Sequence, residues 1–472
     1  MTNTIQKLRE IFTLKIIIEF IAIALTMALS LYVICDNVIF SEDMTDPIPL
    51  GLLIGAVSLA VLLFSGLIVF EMVKNKYRPN IIFTSILGVL FVIQLITILT
   101  FKNGQTYSVV ITDGSTYSFE YSMETLDYVK DIFSFLLVLL VCFLIIDFIP
   151  KVVPNYDSVI FTIVIAFSLL NLASVIYSLT TEFDKIVGLF HMESFSELPS
   201  LALHSFYPSK NTYGIFMICS LLGLIYVAIR HYRHIWLALM IVLQIPIFLS
   251  QCKIAMGISV GLLIGFGIIR FLQTYKDNKQ RNWIVLASII GGILLINVIL
   301  LAIPKTAETI KGLIENIFQE KFGKSTMDAR YKIWEYCLIE MSYFNRFSGA
   351  GYRIFNAILG KYNCADVAYY VTFDTDSAHS TYFELLGNGG ISFLLIWIAI
   401  FSYGIYLITK VFKDDKWLST FSILVVFTIL VLSFLEGGVV IFPQTGEYLF
   451  LTMLLFIPLL TTKNKTTLRL FY

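Results

Sequence analysis

His379 opens the run "HSTYFELLGNGGISF" (379–393) and is one of five histidines in the chain. A histidine is largely neutral at neutral pH and can take up a proton there, which suits it to act as a general base. A histidine at a helix start also serves as a structural hydrogen-bond partner, and position alone leaves both roles open. Arg330 in "MDARYKIW" and Arg353 in "GAGYRIF" carry planar forks of donors that match phosphate oxygens. Each has a plainer reading as a charge on a solvated face. Lys253 in "SQCKIAMG" lies between two apolar runs with almost no loop, where a cation must snorkel or meet an anion. Asn211 and Pro208 in "FYPSKNTYG" mark a fixed turn before a helix. Asp374 and Asp376 flank Thr375 in an acidic pair common in loops, and no metal site is expected from them. No P-loop occurs, so energy for a reaction must come from an activated substrate or a gradient.

The elements that must position these residues are membrane helices. The chain is 58% hydrophobic and 14% charged, with mean hydropathy +0.83, whereas soluble domains carry about 25% charged residues. Runs such as residues 50–70 hold no charge and are long enough to cross about 30 Å of hydrocarbon as a helix. The expected fold is an all-α integral membrane protein of about twelve spans. They lie near 13–35, 50–70, 81–101, 132–149, 159–179, 212–229, 235–249, 254–272, 283–303, 382–409, 417–435 and 447–460. Residues 436–446 suggest a re-entrant turn. The first apolar run is too long for a cleavable signal peptide. Zero formal net charge argues against nucleic acid as a partner.

Orientation follows from basic residues in the short connections. Lys7 and Arg9, Lys74, Lys76 and Arg78, Lys151, Arg230 and Arg233, Arg270 to Arg281, Lys410 to Lys416, and the tail from Lys463 all fall on one side. Only Lys102, Lys130, Lys185, Lys210 and Lys253 fall in short connections on the other. Both termini are therefore expected in the cytoplasm. This organises the chain as helices 1–9 over residues 1–303, a large outer loop over 304–381, and helices 10–12 with a tail over 382–472. A loop this long is seldom plain connection. Within it, Ile310, Leu313, Ile314, Ile317 and Phe318 recur at helical spacing, as do Tyr331, Trp334, Cys337, Leu338 and Met341. Two amphipathic helices are expected, closed by the turn "SGAGY". The six cysteines show no metal-ligand spacing, and the sequence leaves open whether Cys337 and Cys364 are bridged.

Four stretches, taken in order, resemble the bacterial O-antigen polymerase and O-antigen ligase (Wzy/WaaL) family. Residues 379–393 resemble its His-Asn-x-Tyr-Leu-Glu-x-Leu run with trailing glycines, with Ser380 and Phe383 as departures. Residues 329–355 resemble its Arg-x-x-x-Trp segment followed by Gly-x-Gly. "YPSKNTYG" (207–214) is similar to its Asn-Pro-Asn turn, and in "SQCKIAMG" (250–257) Lys253 stands where the family has arginine. The resemblance covers roughly residues 200–400. It implies an inverting, metal-independent glycosyltransferase without cofactor, acting on the outer face of the bacterial cytoplasmic membrane. The donor would be an oligosaccharide on undecaprenyl diphosphate, with membrane lipid around its tail.

On that resemblance His379 would be the base, Arg330 a catalytic and diphosphate-binding cation, and Lys253 and Arg353 further diphosphate ligands. Asn211, Tyr382 and Glu384 would contact the acceptor or support the site. Lysine in place of arginine loses the bidentate fork. The leading expectation is a polymerase of a cell-surface polysaccharide, such as a capsule or lipopolysaccharide chain, working beside a chain-length regulator and a flippase. A ligase that moves the finished glycan to lipid A core or to a protein is the alternative. A lipid-linked oligosaccharide flippase is weaker, because no internal repeat appears and the spans are poor in charge.

Overall fold

A computed structural model describes residues 62, 65–74, 77–111, 113–152, 156–191, 202–205, 207, 209–231, 233–274, 326–365, 377–437 and 446–459. These residues are mostly helical. The first helices are α1 (Ile81–Leu99), α2 (Thr125–Phe143), which passes through a π-helical turn (Leu144–Phe148) into α3 (Ile149–Val152), α4 (Tyr156–Thr181) and α5 (Phe183–His191). Then follow α6 (Lys210–Arg230), α7 (His234–Val242), α8 (Gln244–Leu249) and α9 (Lys253–Thr274). The rest are α10 (Thr326–Met341), α11 (Ile354–Ala365), α12 (Thr381–Val411), α13 (Lys416–Leu435) and α14 (Gly446–Leu455). Among the described residues five stretches are long and apolar enough to cross a membrane: Ile81–Leu99, Lys210–Arg230, Lys253–Gln273, Thr381–Val411 and Lys416–Leu435. Outward-facing Ile82, Val89 and Val92 on α1 suit lipid, where each helix keeps its own backbone hydrogen bonds. The expected spans at 13–35 and 283–303, the helix at 310–318, Asp374 and Asp376, and most of 50–70 and 436–446 lie outside the described residues.

Two features add to the expected architecture. The described residues are mostly helical as expected, but α1 leads into one antiparallel hairpin of β1 (Gln105–Val110) and β2 (Thr116–Tyr121), paired from Gln105 opposite Tyr121 to Val110 opposite Thr116. Both strands are rich in β-branched and aromatic residues. Asp113-Gly114 lies in the turn with Gly114 at φ 83, the left-handed backbone that tight hairpins favour. The second is the buried face of α10. Of its expected apolar stripe Cys337 is buried, whereas Tyr331 and Leu338 are exposed. The buried stripe runs through Arg330, Ile333, Tyr336, Cys337 and Glu340. Aromatic rings from the hairpin and from α11 explain this, since Tyr336 and Tyr362 lie 6.1 Å apart and Tyr362 meets Phe119 at 5.2 Å. Cys337 is a free, buried thiol, which burial holds above its ordinary pKa.

The chain divides into two compact units. The first comprises Met1–Ile163, Ile333–Leu407 and Ile429–Tyr472. Its centre is a seam between the "SGAGY" turn and the glycine run of α12. Gly390, at φ 62 and ψ −157, interrupts the helix. The carbonyls of Gly387 and Asn388 accept from the N–H groups of Ala350 (2.8 Å) and Gly351 (3.0 Å). The N–H groups of Ile391 and Ser392 donate to the carbonyls of Arg346 (2.9 Å) and Phe347 (3.2 Å). Backbone groups freed by the break are thus satisfied by protein, as an apolar setting requires. A Cβ on Gly349 would stand 2.6 Å from the Gly387 carbonyl oxygen, so two backbones meet where only glycine fits.

The second unit, Val164–Lys332 and Ile408–Thr428, is built around α6, whose side chains from Tyr213 to Ala228 are buried. The Ser209 hydroxyl caps its start, accepting from the Thr212 N–H at 3.1 Å. Buried Asn171 on α4 donates to the Phe216 carbonyl (3.0 Å) and to the Ser220 hydroxyl, and accepts from the Tyr207 hydroxyl at 2.7 Å. Arg230 and Asp415 pair at 2.8 Å at its other end.

Candidate active site around His379

His379 stands immediately before α12 in the left-handed conformation, at φ 48. A bulky residue enters that region at a cost that its surroundings must offset. Here they are specific. The His379 N–H donates to the Ser377 hydroxyl at 3.1 Å, and the Ala378 N–H donates to Glu384 Oε1 at 2.8 Å. The Ala378 carbonyl accepts from the Trp334 indole at 2.9 Å, and the same indole stacks on Phe383 at 5.4 Å. The ring's Nδ1 faces Glu436 Oε2 at 3.4 Å. Glu436 is itself held close, because its carbonyl accepts from the Thr381 hydroxyl at 3.0 Å. A carboxylate facing one ring nitrogen orients the ring and favours the tautomer with its proton on that nitrogen, as in hydrolytic triads; the other nitrogen, Nε2, is buried.

Glu384 is the hub of this frame. It accepts from Ser377 Oγ (2.9 Å), the Ala378 N–H, Asn356 Nδ2 (2.9 Å) and Asn388 Nδ2 (3.4 Å). These bonds make it a positioning residue. Asn388 Oδ1 accepts from the Arg353 N–H at 3.2 Å, which joins Arg353 to the hub. Arg353 is also left-handed, at φ 70, and lies within electrostatic range of buried Asp131. Tyr382, on the first turn of α12, packs edge-on against Trp397 at 5.6 Å.

His379, Arg353, Tyr382, Glu384 and Glu436 thus share the first unit. Arg330, Lys253 and Asn211 belong to the second. Arg330 is buried, at 5% exposure, on α10, one turn upstream of Trp334. Lys253 is exposed and is the first residue of α9. Asn211, half-buried, is in the first turn of α6. Approaching α6, Glu182 accepts from Ser178 (2.9 Å), the Ser205 N–H (2.9 Å) and Lys185 (2.8 Å). Burial opposes its charge, but these donors prevail and hold the carboxyl below its ordinary pKa.

Among the described residues the left-handed non-glycine positions are Ser205, Gln251, Arg353 and His379. Each lies in, or within two residues of, one of the four stretches singled out in the sequence. Backbone strain gathers at functional segments, so this coincidence is independent of residue type. Sequence reasoning missed Glu436, Asn388 and Asn356, and also Glu340. That last carboxyl is fully buried and has no hydrogen-bond partner among the described residues. Burial first, and the charge of Glu384 second, raise its pKa well above the ordinary value. No group of three or more His, Cys, Asp or Glu able to hold a metal occurs among the described residues. No family model matches the chain, and no curated protein shows significant similarity to it.

Proposed function

We propose that the protein is a membrane glycosyltransferase that lengthens a cell-surface polysaccharide on the outer face of the bacterial cytoplasmic membrane. The observation that carries this reading is His379, held in a strained turn with Nδ1 turned to a carboxylate, at the head of an apolar helix. In the proposed reaction a hydroxyl oxygen of the acceptor sugar attacks the anomeric carbon of the donor glycan. The bond from that carbon to the diphosphate oxygen breaks, and undecaprenyl diphosphate leaves with the electron pair. The hydroxyl proton passes to His379 Nε2, and Glu436 stabilises the imidazolium that forms. General base help of this kind is worth about 10²–10⁴ in rate. Arg353, in the same unit as His379, is assigned to the diphosphate, whose charge grows as it leaves; Arg330 and Lys253, in the second unit, are assigned to it on the family resemblance alone. Cations are most effective there when water is excluded.

The test replaces His379, Arg330 and Lys253 singly by alanine in the producing cells, with protein level in the membrane checked by immunoblot. The surface glycan is then resolved on a gel. The reading expects the ladder of chain lengths to disappear in the His379 and Arg330 variants and to thin in the Lys253 variant. An intact ladder in all three, with protein in the membrane, would refute it. Single repeats still reaching the surface would separate a polymerase from a ligase.

A further inference from the structure

A cleft of about 890 Å³ opens between the end of α1, the start of the hairpin and the 343–350 turn. That volume lies in the range of small-molecule sites, roughly 300–1,000 Å³. Its lining mixes aromatic rings and two isoleucines of α1, Ile93 and Ile96, with neutral polar groups. Tyr343 Oη accepts from the Ser108 N–H at 3.2 Å, which leaves its own O–H to donate. Asn345 is exposed, and its Oδ1 accepts from the Phe347 N–H at 2.8 Å, which leaves its amide nitrogen to donate. The Gln105 side chain makes no hydrogen bond among the described residues. Phe347 is 55% exposed at the cleft. Among the described residues Lys102 is the only cation in the lining, with no arginine there.

The set excludes some ligands and fits another. One solvated lysine does not answer the charge of a diphosphate, which calls for several cations or forked donors. A neutral ligand whose hydroxyls both donate and accept matches the free amides and phenol. The apolar face of a pyranose ring matches exposed aromatic surface. The cleft is also tied to the base. Its wall, Gly349–Ala350, bonds to Gly387 on α12, and Asn388 beside it bonds to Glu384, the hub that holds the His379 turn.

We infer that this cleft is a glycan subsite that holds sugar residues of the polymer away from the reacting one. The inference rests on the proposed function for the identity of the glycan. Its test uses oligosaccharides of one to three repeats cut from the polysaccharide of the producing cells. Saturation-transfer NMR reads their binding to the full-length protein in lipid nanodiscs. The double variant Gln105→Ala/Phe347→Ala removes two side chains that hold no other element, so the fold is expected to persist, as a thermal melt would verify. Binding should weaken by about tenfold or more, in line with the loss of one good polar and one stacking contact. Cells carrying the double variant should make shorter chains. His379→Ala should bind as wild type does while making no chains, so binding reports on the subsite and the ladder reports on the catalytic reading. Unchanged binding in the double variant, the result expected if Phe347 only anchors the membrane interface, would overturn the inference. So would the absence of saturable binding to the wild type.

Discussion

At the scale of residues the account rests on His379 and the carboxylate beside it. His379→Ala should lower polymerisation by about 10²–10⁴-fold, the usual worth of a general base. Glu436→Gln keeps a hydrogen-bond acceptor but removes the charge that stabilises the imidazolium. It should lower turnover by about tenfold or more while leaving donor binding nearly unchanged. Steady-state rates and KM on the purified protein check this, and a Glu436→Gln enzyme of wild-type turnover would make the contact incidental. His379 and Glu384 were legible in the sequence because they share one short run. Glu436 was not, since it lies 57 positions further on beside a glycine pair and reads as an ordinary boundary charge. Only the fold brings it to the imidazole.

At the scale of elements the glycine seam and α10 decide how well the base is held. Gly349 combines φ 69 with a backbone carbonyl 2.6 Å from any added Cβ. Gly349→Ala should therefore cost about 2–4 kcal/mol, from left-handed strain and overpacking together. A lower melting temperature in detergent with parallel loss of activity is the expected result. The Glu340 carboxyl gives a pH dependence. Its ordinary value is 4.5 and the folded value is well above it. Above the ordinary value the unfolded chain releases this proton while the folded chain keeps it, so the group lowers stability progressively as pH rises towards its folded pKa. Glu340→Gln should remove that slope, and its melting temperature should gain on the wild type from about pH 5 to pH 8. A gap independent of pH would contradict the assignment. The turn "SGAGY" and its glycines were legible as punctuation, but the buried face of α10 was not. Its apolar periodicity pointed to Tyr331 and Leu338 as well as Cys337, whereas aromatic packing from a hairpin distant in sequence chose Tyr336 and Glu340. The hairpin carried its own local signal in Asp113-Gly114 between alternating strands, hidden by the apolar spans on either side.

At the scale of the whole molecule, composition and run length gave the membrane character, and charge placement gives an orientation that can be measured. A cysteine placed at Asp113, exposed in the hairpin turn, should react with a membrane-impermeant maleimide on intact cells. One placed at Lys413, exposed between α12 and α13, should react only after permeabilisation. The reverse pattern would move His379 to the cytoplasmic face and exclude an outer-face reaction. The central claim, that His379 takes the proton of a sugar hydroxyl as undecaprenyl diphosphate leaves, is tested most directly by reconstitution. Purified protein in liposomes would be supplied with undecaprenyl-diphosphate-linked repeat units, and both glycan length and released undecaprenyl diphosphate would be followed. The account predicts that both products rise together with wild type and fall together by at least about 100-fold with His379→Ala. Equal product from His379→Ala and wild type would contradict it.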